Sequence, residues 1–176
     1  VASGFAPRGM EKPEAVLVAI QLGAELGLTP MAALQNTAVI NGRPAIYGDA
    51  ALALVRASGL LESFAEEEVG EAGKDSFGIK VTAARRDGSK GCETFTIGDA
   101  KAAKLWGKAG PWTDYPRRML KFRARGFVLR DVFGDVLKGL RTVEEVRDFP
   151  EERNVTPLSE KVGGGLTAAL TAGGAT

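Results

Sequence analysis

Between residues 101 and 130 the chain carries nine bases, Lys101, Lys104, Lys108, Arg117, Arg118, Lys121, Arg123, Arg125 and Arg130, against one acid, Asp114. That segment holds a charge of +8, whereas the rest holds 14 bases and 21 acids, or −7, so the whole chain stands at only +1. Such segregation suits a polyanion partner. Charge neutralisation is the chemistry on offer: a guanidinium fork meets two phosphate oxygens at once, which an ammonium cannot do. An Arg-rich helix tied to acidic neighbours in its own fold or oligomer would leave the same pattern, and charge alone leaves both readings open.

Other chemistries are narrowed by composition. There is no histidine and one cysteine, Cys92. Without histidine, Ser-His-Asp acyl transfer and His-based metal hydrolysis are excluded. A lone thiol makes neither an intrachain disulfide nor a CxxC metal site; it fits a reducing cytosol, and within a strand it is expected to behave as a small hydrophobe. No GxxxxGK[ST] loop for a triphosphate is present. Asp49, Glu93 and Asp99 are the carboxylates to consider for a metal-dependent nuclease, though each has a plainer role as helix cap, strand surface and helix cap. No apolar run approaches the roughly 18 residues of a membrane span, and no secretory pattern is visible at the N-terminus. The expectation is a cytoplasmic protein with no membrane partner.

The elements that must carry these residues are legible from punctuation and period. Pro13 stands at a helix N1 position before a run that is apolar on most sides and ends at Gly27. A helix so weakly amphipathic is expected to be buried on two sides, by the core and by a neighbouring subunit. Thr29-Pro30 opens a short second helix. Residues 38–47 read as a β-hairpin turning at Asn41-Gly42, with Pro44 placing its second strand at an edge. Asp49 is the expected N-cap of a helix through Ser58. Residues 61–69, 77–85 and 91–97 read as strands, with Asp87-Gly88 as a turn. Asp99 is expected to cap a short helix to Leu105. After the loop 106–112 a long helix runs from Tyr115 to about Leu137, and a short one lies near 143–147. The fold class is α+β, with a small antiparallel sheet and hairpins packed on a long central basic helix. Residues 1–150 form the core domain and 151–176 a flexible Gly/Ala/Thr-rich tail.

On a helical wheel Arg117, Arg118, Lys121 and Arg125 fall within an arc of about 100°. Leu120, Ala124 and Phe127 flank it on one side and Met119, Phe122, Leu129 and Phe133 on the other. A narrow cationic stripe on a helix packed along both flanks can follow a phosphate backbone. Arg123 and Arg130 form a second, minor stripe. Trp106, Trp112 and Tyr115, just upstream, are candidates for base stacking, with core packing as the alternative for each; Lys108 and its neighbouring glycines offer a weak phosphate loop. Gly126, a poor helix former, suggests close approach of another backbone.

Two separate long motifs resemble the RecT family of phage and prophage recombinases. One is Gly27-Leu-Thr-Pro-Met-Ala-Ala-Leu-Gln-Asn36 running into Ala38-Val-Ile-Asn-Gly-Arg-Pro-Ala-Ile-Tyr-Gly-Asp-Ala-Ala-Leu-Ala-Leu-Val-Arg56. The other is Trp106-Gly-Lys-Ala-Gly-Pro-Trp112 with Tyr115-Pro-Arg-Arg-Met119 and Arg123-Ala-Arg-Gly-Phe127. Together they lie in the family's order along residues 11–150. The resemblance implies ATP-independent annealing of complementary single strands by a ring or helical filament of identical subunits, beside a partner 5′–3′ exonuclease, with no cofactor. Mg²⁺ would act only through the DNA. Carried onto this chain, the groove residues are Arg117, Arg118, Lys121 and Arg125, with Arg43 from the first hairpin; Lys108, Trp112 and Tyr115 join them as DNA-binding candidates from the loop and stacking readings above. The chain departs from the pattern at Gly126 and Gly134, where helix formers are expected. The alternatives are an oligomeric phage assembly or structural protein with a basic interaction face, and the metal-dependent nuclease.

Overall fold

A computed structural model of the chain describes residues 10, 12–40 and 43–148. The expected turn at Asn41-Gly42 and the Gly-rich tail 151–176 lie outside them. The elements in order are α1 (Pro13–Glu25), α2 (Pro30–Asn36), β1 (Thr37–Ile40), β2 (Arg43–Ile46), α3 (Gly48–Ala57), β3 (Leu61–Val69), β4 (Gly78–Arg85), β5 (Lys90–Thr96), α4 (Ile97–Ala102), α5 (Pro111–Asp114), α6 (Pro116–Phe133) and α7 (Val143–Val146). The class is mixed α+β, with two antiparallel sheets: β1-β2 and β3-β4-β5.

The three-stranded sheet carries α6 on one face. Register explains which side chains meet the helix, because residues opposite one another in an antiparallel pair share a face. Val81 pairs with Glu66 on one side and Glu93 on the other; Ile79 pairs with Glu68 and Phe95, and Ala83 with Phe64 and Gly91. Ile79, Val81 and Ala83 are buried, and Phe64, Glu66 and Glu68 therefore lie on the helix-facing side of β3. Glu62, Glu67 and Glu68 leave this edge strand charged and exposed, which blunts pairing with another chain. At Gly91 a Cβ would come within 2.5 Å of Val132 Cγ2, so glycine is what lets the C-terminal half of α6 lie flat on β5.

The core runs between sheet and helix. Leu120, Leu129, Phe133, Val81 and Val55 are fully buried, and each such side chain contributes roughly 1.5–3 kcal/mol by leaving water. The α3 helix packs against α6, while the β1-β2 hairpin lies against α1 and α7. A parallel bridge joins Ile46 to Thr142 and ties α7 to the hairpin. No single helix among the described residues is long and apolar enough to cross a membrane; α1 and α2 pass that test only as a pair, bent by 108°.

Several local expectations need correction. The N-cap of α3 is Tyr47, and Asp49 sits in the first turn, where its charge favours the helix dipole. Thr96, not Asp99, caps α4: Thr96 Oγ1 accepts from the Asp99 amide at 3.1 Å while Asp99 Oδ2 accepts from the Thr96 amide at 2.8 Å. This reciprocal pair closes a capping box, so a Thr three residues ahead of an acid outranks the acid as cap. Helix α6 is continuous through Gly126 and ends at Phe133, four residues short of the expected Leu137, before left-handed Lys138 and Gly139 reverse the chain. No backbone crowds Gly126; a Cβ there would meet Thr142 side-chain atoms at an ordinary 3.6 Å. Cys92 is exposed, because it pairs with Thr82 on the sheet face away from α6. On α1, Ala19 and Gly23 are buried, as expected for its core-facing side, and Leu17 and Val18 are exposed on the single chain.

Candidate functional site

The four residues of the cationic stripe do share one face of α6, and that face is answered by carboxylates of the same chain. Arg117 pairs with Glu68, Arg118 with Asp49 at 2.9 Å and Lys121 with Glu66 at 2.6 Å. Arg125 is held twice: Nε and Nη2 donate to the two oxygens of Glu66 at 2.7 and 3.1 Å, and Nη1 donates to Asp49 at 2.7 Å. Burial alone would raise the Glu66 carboxyl, but hydrogen bonds and charges from Arg125 and Lys121 outweigh it and hold Glu66 below its ordinary value. Burial likewise opposes the charge on Arg125, and its bonds to Glu66 and Asp49 prevail and raise its pKa.

Exposure separates the stripe into two parts. The side chains of Arg117, Arg118 and Lys121 remain 65%, 62% and 41% exposed, whereas Arg125 is only 5% exposed. Arg125 is therefore removed from the predicted contact surface: enclosed by Glu66 and Asp49, it is a structural ion pair. The wheel placed it correctly in angle but carries no information on depth. The minor stripe is structural too. Arg123 meets Asp148 at 2.8 Å with both side chains buried, and Arg130 pairs with Glu145.

The aromatic candidates divide in the same way. Trp112 is buried, and its Nε1–H donates to both oxygens of Asp148 at 3.1 and 2.9 Å, so it is a packed and anchored side chain rather than an open stacking platform. Tyr115 is 67% exposed. Trp106 is half-buried against the core. Lys108 is exposed at 3.6 Å from Asp148. Arg43 lies exposed at the start of β2, opposite Ile40, on the separate hairpin.

Between loop 108–112, the N-terminal half of α6 and α7 lies a cavity of about 370 Å³, whose lining includes Lys108, Trp112, Tyr115, Arg118 and Phe122. Its far wall comes from Glu144, Arg147 and Asp148. Phe122 is fixed from several sides. The guanidinium carbons of Arg118 and Arg125 stand 4.8 and 5.2 Å from its ring centroid, and a Cβ on Gly48 would come within 2.8 Å of the ring. The Gly48 amide donates to Glu144 Oε2 at 3.1 Å, which joins α3 to α7. Burial pushes the Glu144 carboxyl up; amide donors, including that of Gly48, and the Arg147 charge work against this, while Asp49 adds to it. The cavity joins Lys108, Trp112, Tyr115 and Arg118, four of the residues singled out from the sequence, to Phe122, Glu144, Arg147 and Asp148, which were not. Asp148 stands 36 residues from Trp112, and no spacing rule links them.

The carboxylates considered for a nuclease do not converge. Asp49 is engaged by Arg118 and Arg125, Glu93 Oε2 accepts from the Thr94 amide, and Asp99 closes the α4 capping box. Among the described residues no group of three or more His, Cys, Asp or Glu side chains is placed to hold a metal ion. Comparison of the sequence with protein-family models and with curated proteins finds no match.

Proposed function

We propose that the chain binds single-stranded DNA and promotes ATP-independent annealing of complementary strands, working as an oligomer and not as an enzyme. The observation that carries this reading is the exposed row Arg117, Arg118 and Lys121 running beside the aromatic-lined cavity. Two of the three carboxylates that hold the row, Glu68 and Asp49, are themselves exposed. Exposed pairs of this kind contribute about 0–1 kcal/mol, so a phosphate can take a carboxylate's place at small cost. The carboxylates also keep the guanidinium groups in a line before any strand arrives. Binding releases condensed counterions from the strand, and pairing with a second strand supplies about 1.4 kcal/mol per step, so no nucleotide hydrolysis is required. The RecT-like motifs point the same way.

A second reading is favoured by one observation: Arg117, Arg118, Lys121, Arg123, Arg125 and Arg130 each meet a carboxylate of the same chain. On that reading α6 is an internally neutralised strut in an oligomeric assembly protein that does not respond to DNA. Annealing of complementary fluorescent oligonucleotides without ATP, across a salt series, separates the two. Wild type should accelerate annealing, and the triple variant Arg117→Ala/Arg118→Ala/Lys121→Ala should lose both rate and salt dependence, each lost contact flattening the log–log slope by about 0.7. Wild type that neither binds nor anneals strands at low salt would leave the assembly reading in its place.

A further inference from the structure

We propose that the cavity between loop 108–112, α6 and α7 receives one unstacked nucleobase of the bound strand, and that it favours a base bearing an exocyclic amine. The proposal rests on the single-strand reading and adds a base preference to it. At about 370 Å³ the space suits a small planar group. Its apolar surface comes largely from flat or flexible side chains, Trp112, Met119 and Phe122, with Tyr115 exposed beside them. Trp112, Met119 and Phe122 form a buried apolar wall, and the exposed Tyr115 ring offers its π-face to any base.

Charge around the cavity distinguishes a nucleotide from a plain apolar group. Lys108, Arg118 and Arg147 are exposed among its lining residues, where a phosphodiester on either side of an inserted base would meet them. The remaining charged groups, Glu144 and Asp148, are acceptors. Asp148 is committed, taking both bonds from Trp112 and one from Arg123, and so positions the indole. Glu144 has capacity left: a carboxylate offers about four acceptor sites, and among the described residues it takes a hydrogen bond from the Gly48 amide. A half-buried carboxylate facing an inserted base accepts from an amine such as cytosine N4 at the edge of the ring, whereas the N3–H of an unpaired thymine lies between two carbonyls that the carboxylate repels. Cytosine and thymine have similar ring size, so their comparison isolates this effect from stacking.

The experiment uses the full chain carrying Trp106→Phe, which leaves Trp112 as the one tryptophan and a reporter in the cavity wall. Oligo-dC, oligo-dT and an abasic strand of equal length are titrated at neutral pH, following both binding and Trp112 emission. Oligo-dC should bind about fivefold or more tightly than oligo-dT, and only base-bearing strands should change the emission. Glu144→Gln should erase the dC–dT difference without abolishing oligo-dT binding. Tyr115→Ala, at an exposed position that does not endanger folding, should weaken base-bearing strands and leave the abasic strand unchanged. Equal binding of all three strands with unmoved emission overturns the base pocket and leaves the single-strand reading standing. If no strand binds at low salt, that reading itself fails, and deoxycytidine monophosphate then tests the pocket alone: an unmoved Trp112 emission overturns it. Emission that changes with protein concentration in the absence of DNA assigns the cavity to a side chain of a second copy and also overturns it.

Discussion

Helix α6 carries cations along two seams that use the same chemistry at different depths. On the seam facing β3 and the start of α3, exposure falls along the helix from Arg117 and Arg118 through Lys121 to the enclosed Arg125. On the seam facing α7, Arg123 and Asp148 are only 9% and 6% exposed, and Arg130 reaches a buried Glu145. Breaking a buried pair strands a charge in a poorly solvated place, whereas an exposed pair breaks into water. The α7 seam and Arg125 therefore hold the fold, and the N-terminal part of the β3 seam keeps its ion pairs at the surface. An Arg-rich helix can serve both as strut and as contact surface when burial changes along its length.

The contrast can be broken first at its deepest pair. Arg123→Ala should cost about 3 kcal/mol, because Asp148 keeps Trp112 and Lys108 but loses its buried cation; urea unfolding measures it. A loss below about 1 kcal/mol would mean that the α7 seam is no more structural than a surface pair.

Next comes the intermediate depth. Glu66→Gln should destabilise the protein by about 2 kcal/mol at neutral pH, since it weakens charge-assisted bonds to Arg125 and Lys121. The pH dependence sharpens the point. With the folded Glu66 carboxyl below its ordinary 4.5, the unfolded chain binds more protons near that pH. Its contribution is thus fully present above pH 4.5 and is lost as pH falls through the lower folded value. The acid limb of the stability curve should be shallower in Glu66→Gln than in wild type; superimposable limbs would remove Glu66 as a source of acid sensitivity.

The smallest stability effect belongs to the exposed end. Arg117→Ala and Arg118→Ala should each stay within about 0.5 kcal/mol of wild type in unfolding experiments, while each lowers the salt slope of single-strand binding by about 0.7. A variant that unfolds easily yet binds DNA normally would reverse the assignment of the two ends.

Much of the fold was legible because it depends on neighbours in sequence. Asp87-Gly88 placed the β4-β5 turn, alternation placed β3 with its observed bounds, and Pro13 marked the start of α1. A signal of the ion-pair seam also lies in the sequence: Phe64, Glu66 and Glu68 share one parity, so a strand that buries Phe64 against the helix turns two carboxylates toward the same helix. The capping box at Thr96 was readable in the same way.

By itself the sequence determined that a long cationic helix exists, which residues share its faces, and that hairpins and short helices surround it. These follow from φ and ψ preferences and from the 2.0 and 3.6 residue periods, which act over a few residues. Tertiary structure alone decided which cations are buried. Arg117 meets Glu68 across 49 residues and Arg125 meets Asp49 across 76, and Trp112 is tied to Asp148 in the wall of a cavity built from three segments. A helical wheel carries angle but not depth. Depth is set by what packs over each position, and at Arg125 that is a carboxylate from β3 and another from the first turn of α3.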